Sequence, residues 1–306
     1  MLATFWSGIL GNRYGDIMSM NTPARLFTVF FLLVTQAFAT AAPIPDFVNA
    51  CVAFIYVRRA DGKFQPKGTG FFMEVKNQDT GDTAVYLLTA KHVLQQDDLT
   101  TVRDSIILRL NRHDGQSRGN AVEVHLKGQR LFASSDESID LAVVSFTPDS
   151  AVFDYKALPS KLLAGNDEIQ VGANVFFAAM FLEYQGDKRN EPIVRFGRVA
   201  LIPKDKVKVS GRPLHVYLIE ANSYEGNSGA PIFAYLGSDQ PVLKLAGVMV
   251  GAFNLPETFR LSGEEEEKVL KYENLGIAAV VPAYKVHELL EEVKKAREQT
   301  LVPAKP

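Results

Sequence analysis

Glu225-Gly226-Asn227-Ser228-Gly229-Ala230-Pro231 sets a serine between two glycines in what reads as a tight turn. Such a turn can aim backbone N–H groups at one point beside the hydroxyl. That point is where an oxyanion forms during acyl transfer, so one segment could supply both a nucleophile and the electrostatic stabiliser of its reaction. Gly-Asn-Ser-Gly equally suits an ordinary hairpin turn, because Gly and Asn tolerate positive φ. The choice between the two depends on what the rest of the chain supplies.

A nucleophilic serine needs a base, and the base needs an orienting carboxylate. His92 is the best-placed base, following Tyr86-Leu87-Leu88-Thr89-Ala90-Lys91 where a buried strand ends and a turn begins. His113 sits beside Asp114-Gly115 in a turn, His125 and His215 lie in alternating strands, and His287 falls on a terminal helix; these four read as structural or solvent-facing. Asp140 stands directly before the apolar run Leu141-Ala142-Val143-Val144. An acidic group at the mouth of such a run is costly without a hydrogen-bonding partner, and an imidazole Nδ1–H is one such partner. Asp136 and Glu137, in the polar loop before it, can remain hydrated. Taken singly, a strand-end histidine and a turn-ending aspartate are ordinary features.

The order His92, Asp140, Ser228 gives these features their meaning. With it come Gly68-Thr69-Gly70-Phe71, Leu88-Thr89-Ala90-Lys91-His92-Val93, Asp140-Leu141-Ala142-Val143-Val144, Gly226-Asn227-Ser228-Gly229-Ala230-Pro231, Gly247-Val248-Met249-Val250-Gly251 and Gly276-Ile277-Ala278-Ala279-Val280-Val281-Pro282. In these blocks, over residues 50–295, the chain resembles the chymotrypsin-like (trypsin-like) serine proteases. It is most similar to the bacterial HtrA-type and glutamyl-endopeptidase branches. The resemblance implies an all-β fold of two six-stranded Greek-key barrels with the triad in the cleft between them, and a C-terminal helix. It also implies that Gly226 and Ser228 supply the oxyanion-hole N–H groups, that polypeptides are the substrates, and that neither metal nor organic cofactor is required.

Departures from the family pattern refine this. Asn227 stands where zymogen-type relatives carry Asp, and Asn cannot pair with a newly cut N-terminus, so activation by that salt bridge is not expected. Ala230 replaces a frequent second glycine. No PDZ-like region follows the protease domain, so regulation through one is not expected. The strand Gly247–Val250 lacks the histidine that glutamyl endopeptidases place there. Asn222, six residues before Ser228, takes the position of the primary-pocket floor, with Val250, Gly251 and Ala252 as its wall. The expected pocket is neutral and prefers small or medium uncharged side chains.

Local patterning agrees with a β protein. Apolar, β-branched segments at 52–58, 70–75, 85–90, 106–110, 122–126, 130–133 and 141–146 are separated by polar turns containing Asp-Gly, Thr-Gly-Asp and His-Asp-Gly. After a looser connection at 147–163, a second series comes at 174–180, 193–201, 214–221, 230–235, 243–253 and 276–281. The expected domains are 47–150, carrying His92 and Asp140, and 151–282, carrying Ser228. Val286, Leu289, Leu290 and Val293 at helical spacing predict a terminal helix over 283–300, packed on the second barrel. Glu264-Glu265-Glu266-Glu267-Lys268 reads as a solvated insertion.

Charge is nearly balanced, with 33 basic and 35 acidic residues in 306, and no basic patch is interleaved with aromatics; a nucleic-acid surface is not expected. Arg25, an apolar run over 26–39 and Ala37-Phe38-Ala39 read as a signal peptide spanning 1–39, with Met18 or Met20 as possible true starts. The run is short for a membrane span, so no stable insertion after cleavage is expected and the mature chain is expected to be secreted or periplasmic. Cys51 is the single cysteine, so no intrachain disulfide can form, and it reads as a buried inert thiol. The sequence leaves open a protease-fold binding or regulatory protein without activity, and an esterase using the same triad.

Overall fold

In this computed structural model the described residues are 44–76, 81–128, 130–237, 241–259 and 268–301. The signal-peptide reading over 1–39 and the glutamates at 264–267 lie outside them. All the elements named below belong to one compact unit, Pro45–Pro306.

A short helix, α1 (Phe47–Ala50), opens the first half, followed by β1 (Val52–Arg58), β2 (Phe64–Lys76), β3 (Thr83–Thr89), β4 (Ser105–Arg109), β5 (Ala121–His125), β6 (Leu131–Ala133) and β7 (Ala142–Ser145). The connection carries β8 (Leu158–Pro159). The second half holds β9 (Asn174–Ala179), β10 (Ile193–Leu201), β11 (Val207–Val209), β12 (Arg212–Leu214), β13 (Tyr217–Glu220), β14 (Pro231–Leu236), β15 (Val242–Phe259) and β16 (Lys268–Pro282), then helix α2 (Ala283–Leu301). The expected punctuation is present: Gly62 and Gly115, each after an aspartate, take φ of 80° and 68°, the left-handed region that turns require.

The second half closes into a barrel in the order β10-β13-β16-β15-β14-β9. The first half is an antiparallel sheet in the order β5-β4-β1-β2-β3-β7-β6, with β8 pairing parallel to β2. Its edge strands do not pair among the described residues, so it forms a half-barrel where full closure was expected. The reason is local: β6 is three residues long and is taken up by β7, and β5 is a five-residue strand that buries only Val124. The architecture is otherwise the chymotrypsin-like one, mostly β with, among the described residues, one long helix at the C-terminal end.

Each half has its own core. Phe54, Phe71, Phe72, Leu87, Leu88 and Leu108 are fully buried in the first, and Phe177 and Phe233 in the second, where Phe176 stacks on Phe233 at 5.5 Å. Helix α2 buries the stripe Val286, Leu289, Leu290 and Val293. Four such side chains contribute on the order of 6–12 kcal/mol as an upper bound. The helix packs on β15 and β16 as expected, and also reaches β6 in the first half. There Arg297 lies 4.8 Å over the Tyr86 ring and donates to Ser145 Oγ.

One expected strand is divided. Over 214–221 the sequence reads as a single run, but Arg212–Leu214 pairs with Val207–Val209 in a separate two-stranded hairpin, and only Tyr217–Glu220 enters the barrel.

Candidate active site

Strand register brings His92 and Asp140 together. In the antiparallel β3–β7 pair Thr89 faces Ala142, so the chain leaving β3 lies beside the chain entering β7. His92 sits three residues beyond Thr89, in a single 3-10 turn (Lys91–Val93), and Asp140 two residues before Ala142. The carboxylate grips the histidine twice. Its Oδ1 accepts the His92 backbone N–H at 2.9 Å, and its Oδ2 pairs with His92 Nδ1 at 2.8 Å. This fixes both the ring plane and the tautomer that leaves Nε2 facing outward.

Asp140 is 1 % exposed. Burial alone would raise its carboxyl. The His92 hydrogen bond, the charges of His92 and Arg212 and the His92 backbone N–H outweigh burial and hold it down at about 2. The buried-acid expectation is met, with one addition: Arg212 also donates to Asp140 Oδ2, at 2.6 Å. No periodicity or motif in the sequence singles out Arg212.

Ser228 arrives from the second half, in the turn that feeds β14. Gly226 and Gly229 hold φ of 89° and 88°. At Gly229 a Cβ would sit 2.0 Å from the Thr69 carbonyl oxygen and 2.2 Å from Thr89 Oγ1, so only glycine fits. Asn227, 1 % exposed, braces the turn from inside: its Oδ1 accepts the Tyr224 N–H at 3.0 Å, and its Nδ2 donates to the Met180 carbonyl at 2.8 Å. Both polar ends of the asparagine are thus occupied within the turn and its neighbour.

The two halves meet at Gly68-Thr69. The Thr69 N–H donates to the Ser228 carbonyl at 2.8 Å, and Thr69 Oγ1 donates to the Gly226 carbonyl at 2.6 Å while accepting the Met180 N–H at 3.0 Å. A Cβ on Gly68 would lie 2.9 Å from the Ser228 oxygen and 2.8 Å from a Val93 methyl. With their carbonyls engaged in this way, the N–H groups of Gly226 and Ser228 donate to no other group among the described residues. Thr69 was visible in the sequence only as part of a motif block, not as the group that orients the turn.

A cleft of about 600 Å³ joins these parts, with His92 and Ser228 both on its surface. No hydrogen bond joins their side chains among the described residues; such bonds often tighten only when substrate binds. Val250, Gly251 and Ala252 line the cleft as expected, joined by Ser223, Asn254 and Asn274. Asn222 does not line it. Its residue is exposed, and its neighbour Ser223, whose carbonyl accepts from Asn274 Nδ2, takes the place on the cleft surface. Side chains alternate in direction along an extended segment, so the family count of six lands one residue off the inward-facing position. Leu99, Val209, Ser210, Arg212, Tyr224 and Glu225 complete the lining and were not anticipated. No group of three metal-ligating side chains occurs among the described residues.

Among solved structures the chain is similar to the MamO protease domain from Magnetospirillum magneticum in its apo form, at 15 % identity over 79 % of this chain and 97 % of that one, with a TM-score of 0.46. It is similar to human heparin binding protein at 10 % identity over 87 % and 98 %, with a TM-score of 0.47. No curated protein matches. The model of the trypsin-like peptidase domain matches residues 68–238, more than half of the 306, and spans the segments that carry His92, Asp140 and Ser228; the chain belongs to the trypsin-like peptidase domain family.

Proposed function

We propose that this chain is an exported serine endopeptidase that hydrolyses peptide bonds through an acyl-enzyme. The observation that carries the reading is the conjunction of His92 and Ser228 on one cleft, the double hold of Asp140 on His92 behind it, and the N–H groups of Gly226 and Ser228, which donate to no other group among the described residues. His92 Nε2 takes the Ser228 proton as Oγ attacks the substrate carbonyl carbon. Asp140 stabilises the imidazolium, and the two N–H groups bind the oxyanion; each such donor contributes roughly 3–4 kcal/mol. The imidazolium then protonates the leaving amine. Water, deprotonated by His92, attacks the acyl-enzyme and frees Ser228 Oγ with its proton restored.

The expected wall residues Val250, Gly251 and Ala252, with Ser223, Asn254 and Asn274, are uncharged and support a neutral primary pocket, while Arg212 and Glu225 border the same cleft. Export rests on the leader read from the sequence. Among the described residues no helix is long and apolar enough to cross a membrane. The mature chain is proposed to act outside the cytoplasm on polypeptides.

The test is labelling of the purified protein with a fluorophosphonate, followed by digestion of an unfolded polypeptide, with Ser228→Ala as control. The parent is expected to label and to cleave, and the variant to do neither. Absence of labelling in the folded parent would favour a binding protein built on a protease fold. Cleavage of ester but not peptide substrates would point to an esterase, and cleavage mainly after Arg or Lys would overturn the neutral pocket. N-terminal sequencing of the mature chain tests removal of the leader.

A further inference from the structure

The buried carboxylate of Asp140 is held by three donors, and the third, Arg212, comes from an unusual place. A side chain with no exposed surface has its lone pairs to satisfy and its charge to neutralise. His92 supplies two N–H donors, and Arg212 adds another at 2.6 Å with a permanent positive charge. Arg212 belongs to neither the half-barrel nor the closed barrel. It sits on β12, and the β11–β12 hairpin pairs only with itself.

That hairpin is firmly built. Ser210 and Gly211 at its tip both take positive φ, 47° and 84°, the geometry of a two-residue turn that matches strand twist. Val209 and Leu214 at its two strands are buried, and a Cβ on Gly251 in the cleft wall would lie 2.9 Å from Val209 Cγ1. The hairpin and its flanks also run along the loop that carries Asp140. Lys206 Nζ lies 3.8 Å from Asp136 Oδ1, the His215 N–H donates to the Ser138 carbonyl at 2.8 Å, and Arg212 reaches Asp140. Alternate residues of one loop, 136, 138 and 140, are thus tied to a single segment of the other half. The outermost pair is exposed and contributes little. The two inner bonds are shielded.

We propose that Arg212 is a positioning residue for the catalytic pair. It holds the Asp140 carboxylate with Oδ2 toward His92 Nδ1, so that the imidazole keeps its Nε2 directed at Ser228. The inference rests on the function proposed above and adds a device to it: the orienting aspartate of the first half is set by a hairpin of the second. Arg212 also borders the cleft, so the test separates positioning from substrate contact.

The experiment compares the parent, Arg212→Lys and Arg212→Met in two assays: the rate of Ser228 labelling by a small fluorophosphonate, and kcat and KM on a peptide. Met keeps much of the stem and removes charge and donors. Arg212→Met is expected to lower both the labelling rate and kcat by about 10- to 100-fold, the scale of losing an outer hydrogen-bonding partner, with KM changed much less. Arg212→Lys restores the charge without the planar fork and is expected to fall between them. Millimolar guanidinium ion is expected to raise the labelling rate of Arg212→Met and not that of the parent. A raised KM with labelling at the parent rate would overturn the proposal and make Arg212 a substrate contact. If Arg212→Met does not fold, Arg212→Lys decides: slower labelling at unchanged KM supports the role, and parent-like labelling overturns it. A parent that fails to label overturns the proposed function itself, whereas a labelling parent with equally fast variants overturns only the assignment of Arg212.

Discussion

Replacing Thr69 by Val tests the junction that orients the serine turn, because the two side chains are nearly isosteric and differ in the hydroxyl. In the parent that hydroxyl is fully buried, donates to the Gly226 carbonyl at 2.6 Å and accepts the Met180 N–H at 3.0 Å. Valine leaves both backbone groups without their partner. Each orphaned buried group costs about 1–3 kcal/mol, and the extra methyl returns about 0.8, so a net loss of about 1–5 kcal/mol is expected. With a urea m-value near 3 kcal/mol/M, the midpoint falls by about 0.4–1.7 M. The loss has an expected functional counterpart: freeing the Gly226 carbonyl releases the Gly226–Asn227 peptide and so the ψ of Gly226, which loosens the turn that positions Ser228 and the N–H on the other side of Gly226. Fluorophosphonate labelling therefore slows, by less than the roughly 10²–10³-fold of outright donor loss. Thr69→Ser, which keeps the hydroxyl, is the control. The reasoning is refuted if Thr69→Val matches Thr69→Ser in urea midpoint and labels at the parent rate.

Other outcomes rest on single observations. Gly229→Ala places a Cβ 2.0 Å from the Thr69 carbonyl at φ 88°, whereas Gly211→Ala at φ 84° meets nothing within 4 Å; the first is expected to lose about 2–5 kcal/mol in chemical denaturation and the second about 1–2, and equal losses would contradict the packing argument. Asp140→Asn is expected to cut kcat about 10⁴-fold, measured on a peptide substrate, through loss of the correct tautomer and of imidazolium stabilisation. Because the Asp140 carboxyl is held at about 2, below its unfolded value, its ionisation stabilises the fold above about pH 4 and that contribution is lost as pH falls toward 2. The stability gap between the parent and Asp140→Asn is therefore expected to narrow over that window in acid-unfolding curves. Burial pushes the Cys51 thiol far up, so the native protein is expected to resist alkylation that goes to completion after unfolding, and rapid native labelling would contradict its placement in the core.

The legible part of this molecule was whatever depends on local pattern. β1 and β10 begin and end where their apolar runs do, because side-chain alternation and flanking turn residues define a strand from within. His92 and Asp140 were legible as a pair for a related reason: each lies next to a strand of plain apolar character, so the register of β3 and β7 makes them neighbours. The β11–β12 hairpin was not legible. Its strands are three residues each, too short to show a period; β11 lay outside every expected strand, and of β12 only Leu214 fell in the run at 214–221 that continues into β13. Arg212 was hidden with it, since its partner lies 72 residues away in sequence and only tertiary packing joins them. Asn222 shows the limit of counting from a motif. One residue of phase decides whether a side chain faces the cleft or the solvent, and the count carries no phase.

The two longest strands carry a further implication. β14 pairs with β15 only as far as Val248, and β13 with β16 only from Ile277 onward. Beyond these points, from Asn254 with Asn274 to Phe259 with Lys268, β15 and β16 pair with each other alone among the described residues. At about 3.3 Å per residue this is a ribbon of roughly 20 Å leaving the barrel wall. A lone two-stranded ribbon is marginally stable in water, whereas the barrel strands it continues share the global stability of the core. The same two strands therefore pass from a rigid end to one that frays on its own. Asn254 and Asn274, which border the cleft, stand where that change begins, so one rim of the cleft can loosen without any barrel strand unpairing.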